Sequence, residues 1–122
     1  MKRFFLLWVL IASASALSAS AAFAAEAAPS DRGEFIGTWT MRGSEGEDFQ
    51  AILNADGTST SDWGPGETGT WQVIDGKAYV TWTDGWKEII ERDGAGYRKY
   101  GFEPGKDFTD QPSNESEAVK SA

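Results

Sequence analysis

Three Asp-Gly pairs stand nine residues apart, at 75–76, 84–85 and 93–94, and the residues between them alternate apolar with polar. Glycine reaches positive φ without a Cβ clash, so Asp-Gly flanked by alternating apolar residues marks a tight hairpin. A reversal every nine residues leaves about seven for each strand. Asp56-Gly57 and Pro65-Gly66 continue the punctuation upstream, and no helical apolar stripe interrupts it. The chain is therefore predicted to be all-β. An antiparallel up-and-down meander of about seven strands would form a small barrel or a strongly curled sheet, because closure removes exposed edges.

Strands are expected at about 34–42, 48–54, 58–64, 68–74, 77–83, 86–92 and 96–103. A two-residue turn at 75–76 sets Val73 opposite Ala78 and Trp71 opposite Val80. The same turn at 84–85 would set Val80 opposite Ile89 and Trp82 opposite Lys87. Opposed residues share a sheet face, so Trp71, Val73, Ala78, Val80, Trp82 and Ile89 line one side. A turn of two or four residues near 93–96 adds Arg98, Tyr100 and Phe102 to that side, whereas three would exchange them for their neighbours. This face is the predicted core. Upstream, Phe35, Trp39 and Met41 alternate onto one side, and Phe49, Ala51 and Leu53 point inward, with Ile52 and Trp63 on the opposite parity. The outer face then carries Gln72, Ile74, Tyr79, Thr81, Thr83, Trp86, Glu88 and Ile90.

The ends read differently. Lys2 and Arg3 precede a mostly apolar run from Phe4 to Leu17, and Ala22-Phe23-Ala24 has the small-x-small form of a signal-peptidase site. Residues 1–24 are expected to be a cleaved signal, which makes the product periplasmic or secreted. The apolar run is too short and Ser-rich for a membrane span, and without cysteine there is no lipid-modified Cys to anchor the product. Residues 25–33 read as a flexible leader, 34–107 as the barrel domain, and 108–122 as a disordered polar tail without apolar period. Nineteen acidic against eleven basic residues give a net charge of −8. Such a surface repels phosphate backbones, which argues against nucleic acid. An exported domain without disulfides must be held by packing, and five of the six tryptophans lie beyond the expected cut.

The chain has no histidine and no cysteine, so a Ser-His-Asp or Cys-His centre and the usual zinc sites are excluded. Asn54, Asp56 and Asp62 surround Gly57, but not in the register of a calcium loop. Glu45, Glu47 and Asp48 read as a solvated loop. Glu88 lacks the second carboxyl that a glycosidase would set across a cleft. The expectation is a non-enzymatic domain with no metal and no cofactor. Its candidate ligand-binding surface is the outer face, where Tyr79, Thr81, Thr83, Trp86 and Glu88 could form a platform for a sugar ring, a polar peptide or an exported protein. Against that stands a plain stabilising ladder of cross-strand pairs.

Gly37-Thr38-Trp39 at the first strand, followed by a meander, resembles the Gly-x-Trp signature of lipocalin-like (calycin) barrels over residues 34–103. The resemblance implies that Trp39 plugs one barrel end and that an arginine from a late strand packs across it, for which Arg98 is the candidate. With Trp71 and Trp82 these residues form the expected structural core. It also implies an alternative function, carriage of a small apolar ligand inside the barrel; an inhibitor-type barrel that binds an enzyme is another. The order Gly-Thr-Trp, Asp-Gly-Thr, Gly-Thr-Trp, Trp-x-Asp-Gly-Trp is also similar to that of small exported bacterial domains with no assigned activity.

Overall fold

The computed structural model describes residues 32–121. The expected signal sequence and the leader through residue 31 lie outside the described residues. Eight antiparallel strands follow one another in sequence order and close into a barrel. They are β1 (Gly37–Arg42), β2 (Asp48–Leu53), β3 (Thr58–Ser61), β4 (Glu67–Ile74), β5 (Lys77–Trp82), β6 (Lys87–Asp93), β7 (Gly96–Phe102) and β8 (Asn114–Lys120). Closure is made by β8 against β1, with Trp39 opposite Lys120 and Thr40 opposite Val119.

Two expectations about the ends are corrected. Residues 114–120, placed in a disordered tail, form β8, which also pairs with β7 from Tyr97–Ala118 to Gly101–Asn114. The inward residues of β8 are Asn114, Ser116, Ala118 and Lys120, too small or polar to signal a strand by apolar period. What holds β8 is the pair of open edges that it joins, since unpaired backbone groups on β1 and β7 would otherwise remain. The barrel domain thus runs to residue 120, not 107. At the other end, residues 32–35 form one helical turn rather than the end of a flexible leader and the start of a strand. Arg32 donates to Ala55 O at 2.7 Å and lies 4.7 Å over the Trp71 ring, which fixes this turn under the barrel.

The three nine-residue Asp-Gly repeats make three different turns. At 75–76 both residues have positive φ, 51° and 78°, the signature of a two-residue type I′ turn, and Val73 faces Ala78 as predicted. At 93–94, Asp93 ends β6 and pairs with Gly96, so Gly94 opens a two-residue turn at φ 62°. At 84–85 the loop holds three residues. Trp82 N donates to Trp86 O at 2.9 Å, Gly85 N to Trp82 O at 3.0 Å, and Gly85 takes φ 100°. This is the type I turn with a left-handed third residue, and Asp84 Oδ1 steadies it by accepting from Trp86 N at 3.0 Å.

That extra residue shifts the β5–β6 register by one, so Val80 faces Glu88 and Tyr79 faces Ile89. A one-residue slip turns every later side chain over. Trp86, Glu88, Ile90, Tyr97 and Lys99 therefore point into the barrel, whereas Ile89, Arg98, Tyr100 and Phe102, predicted inside, lie on the wall. Ile89 and Phe102 are buried nonetheless, because the loop between β7 and β8 folds back over the wall. Phe108 packs edge-on against Tyr79 at 4.9 Å and Phe102 at 5.8 Å.

The interior is filled. Trp39, Met41, Ala51, Leu53, Trp71, Val80, Trp82 and Ile90 form one buried cluster. Trp39 plugs the end at which the helical turn sits: its indole N–H donates to Phe35 O at 2.9 Å, Phe35 stacks on it, and Tyr97 meets it edge-on at 4.9 Å. Arg98, the cation expected across it, is elsewhere: it ion-pairs on the wall with Asp93 at 3.6 Å and Glu115 at 3.4 Å. Glu34 completes the plug by accepting from Tyr97 Oη at 2.8 Å and from Arg92 Nη2 at 2.7 Å. Those bonds hold the Glu34 carboxyl below its ordinary pKa.

Candidate functional site at the barrel mouth

The end opposite the plug is open. The β1–β2, β3–β4 and β5–β6 connections, with Lys99 of β7 and Asn114 of β8, surround a cavity of about 40 Å³ there, room for roughly three water-sized groups. Its walls are aromatic, from Phe49, Trp63, Trp82 and Trp86. Trp63 comes from the β3–β4 connection and meets Phe49 edge-on at 5.5 Å. Trp86 is brought in by the three-residue loop, and with it comes Glu88.

Glu67, Asp84 and Glu88 supply carboxylates to this space, and Lys99 the one amine. Glu67 is held at the rim, where Thr83 Oγ1 donates to Oε1 at 3.3 Å. Glu88 is only 5% exposed; its Oε1 accepts from Trp82 Nε1 at 3.0 Å. Burial pushes the Glu88 carboxyl above its usual pKa, with the charge of Lys99 opposing that rise. Lys99, 1% exposed, donates to Arg42 O at 2.6 Å and Asn114 Oδ1 at 2.8 Å, and burial pushes its pKa down. The floor of the mouth is therefore a buried acid and a buried base, each shifted toward its neutral form by loss of water.

The five residues predicted to form an outer platform are divided between two places. Tyr79, Thr81 and Thr83 do stand on the outer wall of β5 and its turn, but Tyr79 is half-covered by the chain's own Phe108. Trp86 and Glu88 are on the other side of the sheet, in the mouth. Lys99, Asn114 and Glu67 join the site without being marked by the sequence pattern. Lys99 could have been found by testing a three-residue loop at 83–85, which puts it inside. Asn114 could not, because its strand carries no apolar signal. Among the described residues no group of three acidic, histidine or cysteine side chains could hold a metal ion, and no helix is long and apolar enough to cross a membrane.

No family model matches the chain, and no curated protein or solved structure matches it.

Proposed function

We propose that this protein is an exported, non-enzymatic barrel that binds a small polar ligand in its open mouth. The observation that carries this is the cavity itself: aromatic walls with a few convergent polar groups are the common make-up of a small-ligand site. The perturbed Glu88 and Lys99 at its floor add support, since such groups gather where a protein acts on a partner. Without histidine or cysteine, the residues that remain suit recognition better than turnover. The order of strands, Gly37-Thr38-Trp39 opening β1 and the Trp39 plug favour kinship with lipocalin-like barrels. The filled interior below the mouth favours a headgroup at the rim over an apolar cargo in a lumen. The outer wall around Tyr79 is the weaker candidate, because Phe108 already occupies part of it.

The test is a nuclear magnetic resonance titration of the mature protein with a panel of sugars, amino acids and amines. A mouth ligand shifts the indole N–H signals of Trp63, Trp82 and Trp86 saturably and leaves that of Trp39 in place. A panel that moves none of the three, or that moves only wall residues around Tyr79, overturns the proposal.

A further inference from the structure

Resting on the mouth as a binding site, we infer that its ligand group is an organic ammonium, either quaternary or primary. Three features of the cavity converge on this. The first is charge: Glu67, Asp84 and Glu88 border it, and the single amine among its lining residues, Lys99, already donates to Arg42 O and Asn114 Oδ1. Lys99 can answer at most one of the three acids, so an incoming group meets net negative charge.

The second feature is the wall. Indoles offer the most electron-rich ring faces among side chains, and a cation held among them is attracted by their quadrupoles even when it cannot form hydrogen bonds. The protein already makes such a contact with its own amine, as Lys99 Nζ lies 5.8 Å from the centre of the Phe49 ring. Neutral sugars would gain from stacking too, but they bring no charge to offset the acids at the rim.

The third feature is Glu88. Its carboxylate is nine-tenths buried and takes one side-chain hydrogen bond among the described residues, from Trp82 to Oε1. The other oxygen takes no side-chain hydrogen bond among the described residues, and the residue lines the cavity. A cation entering the mouth supplies the counter-charge that burial has removed, which favours the ionised acid. The volume of about 40 Å³ takes a primary ammonium or part of a quaternary one, so the remainder of the ligand projects outward.

Choline and propylamine, titrated separately against the full-length mature protein, distinguish a quaternary headgroup from a lysine-like primary amine; 3,3-dimethyl-1-butanol serves as the uncharged isostere of choline. The expected result is saturable movement of the Trp63, Trp82 and Trp86 indole signals by at least one amine, with the alcohol about tenfold weaker or worse. Combining Glu67→Gln with Asp84→Asn at the exposed rim should weaken that amine about tenfold while circular dichroism stays unchanged. An alcohol as potent as choline, or affinity unmoved by the double substitution, overturns the ammonium assignment. Binding of neutral sugars at the three indoles without either amine overturns it too, yet leaves the mouth as the site. Silence of the mouth toward every probe removes both.

Discussion

Trp82 Nε1 donates to Glu88 Oε1 at 3.0 Å, so two residues that alternation sets on opposite faces meet inside the barrel mouth. Burial raises the Glu88 pKa from 4.5, and the indole bond works against that rise without cancelling it. In the window from about 4.5 up to that raised value, the native state holds more protons than the unfolded chain, and stability falls as pH rises. Glu88→Gln keeps an acceptor for the indole and has nothing to ionise. The variant should therefore gain on the wild type as pH climbs through this window. Urea midpoints measured at intervals between about pH 4 and 8 check it; a difference that does not change with pH rules out burial as the cause.

The base beside it carries the opposite signature. Burial lowers the Lys99 pKa below 10.5, so the unfolded chain holds more protons between the lowered value and 10.5, and stability rises with pH there. Lys99→Met should remove that alkaline rise. It also frees Arg42 O and Asn114 Oδ1, so at neutral pH it should cost about 1–3 kcal/mol from the unpaired acceptors. Chemical denaturation of both proteins at about pH 7 and 10 separates the two effects.

At the plugged end Trp39 is fully buried between Phe35 and Tyr97 and bonded to Phe35 O. Trp39→Ala should cost about 3–5 kcal/mol, the range for deleting a large buried ring. For a domain this small, that is a large share of its total stability. Trp39→Phe keeps most of the ring and should cost less. A loss for Trp39→Ala within about 1 kcal/mol would mean that the helical turn at 32–35 collapses onto the gap.

Ending the chain at Ser113 would leave β1 and β7 as open edges in place of the Trp39–Lys120 and Tyr97–Ala118 pairings. Such edges aggregate or fray. The truncated protein should lose its sharp unfolding transition and self-associate, as seen by calorimetry and sedimentation. A cooperative monomer would show that seven strands suffice.

These elements also mark what could be read from the residues. Strands β1 to β7 were legible because their turns carry Gly at positions that demand positive φ and, except in β3, their inner faces carry large side chains. Trp39, Trp71 and Trp82 were placed correctly for the same reason. The inner face of β6 and β7 was not legible: β6 has Glu88, Ile89 and Ile90 buried in a row. With Phe108 covering the wall, apolar residues are wanted on both faces, and alternation cannot choose between them. The dipeptide Asp-Gly serves two turn lengths equally well, and the longer one is marked here by a local contact, the Asp84 side chain reaching Trp86 N two residues on. Two of the five candidate residues, Trp86 and Glu88, changed faces with that one residue.

Gly43 bears directly on the mouth. A Cβ built there would overlap Trp63 Cζ3 and lie 2.7 Å from Cη2, so the indole rests against bare backbone. Gly43 does not need positive φ, and Trp63 is half-exposed. Gly43→Ala should therefore be accommodated by a swing of the indole, at a cost within the roughly 1–3 kcal/mol of an overpacked contact. The swing would part Trp63 from Phe49, whose rings are 5.5 Å apart, and remove one wall of the cavity. The expected outcome is a folded protein with a displaced Trp63 indole signal and ligand affinity weakened several-fold, while the Trp39 signal stays in place. A moved indole with full affinity would show that Trp63 is a bystander, leaving recognition to Trp82 and Trp86.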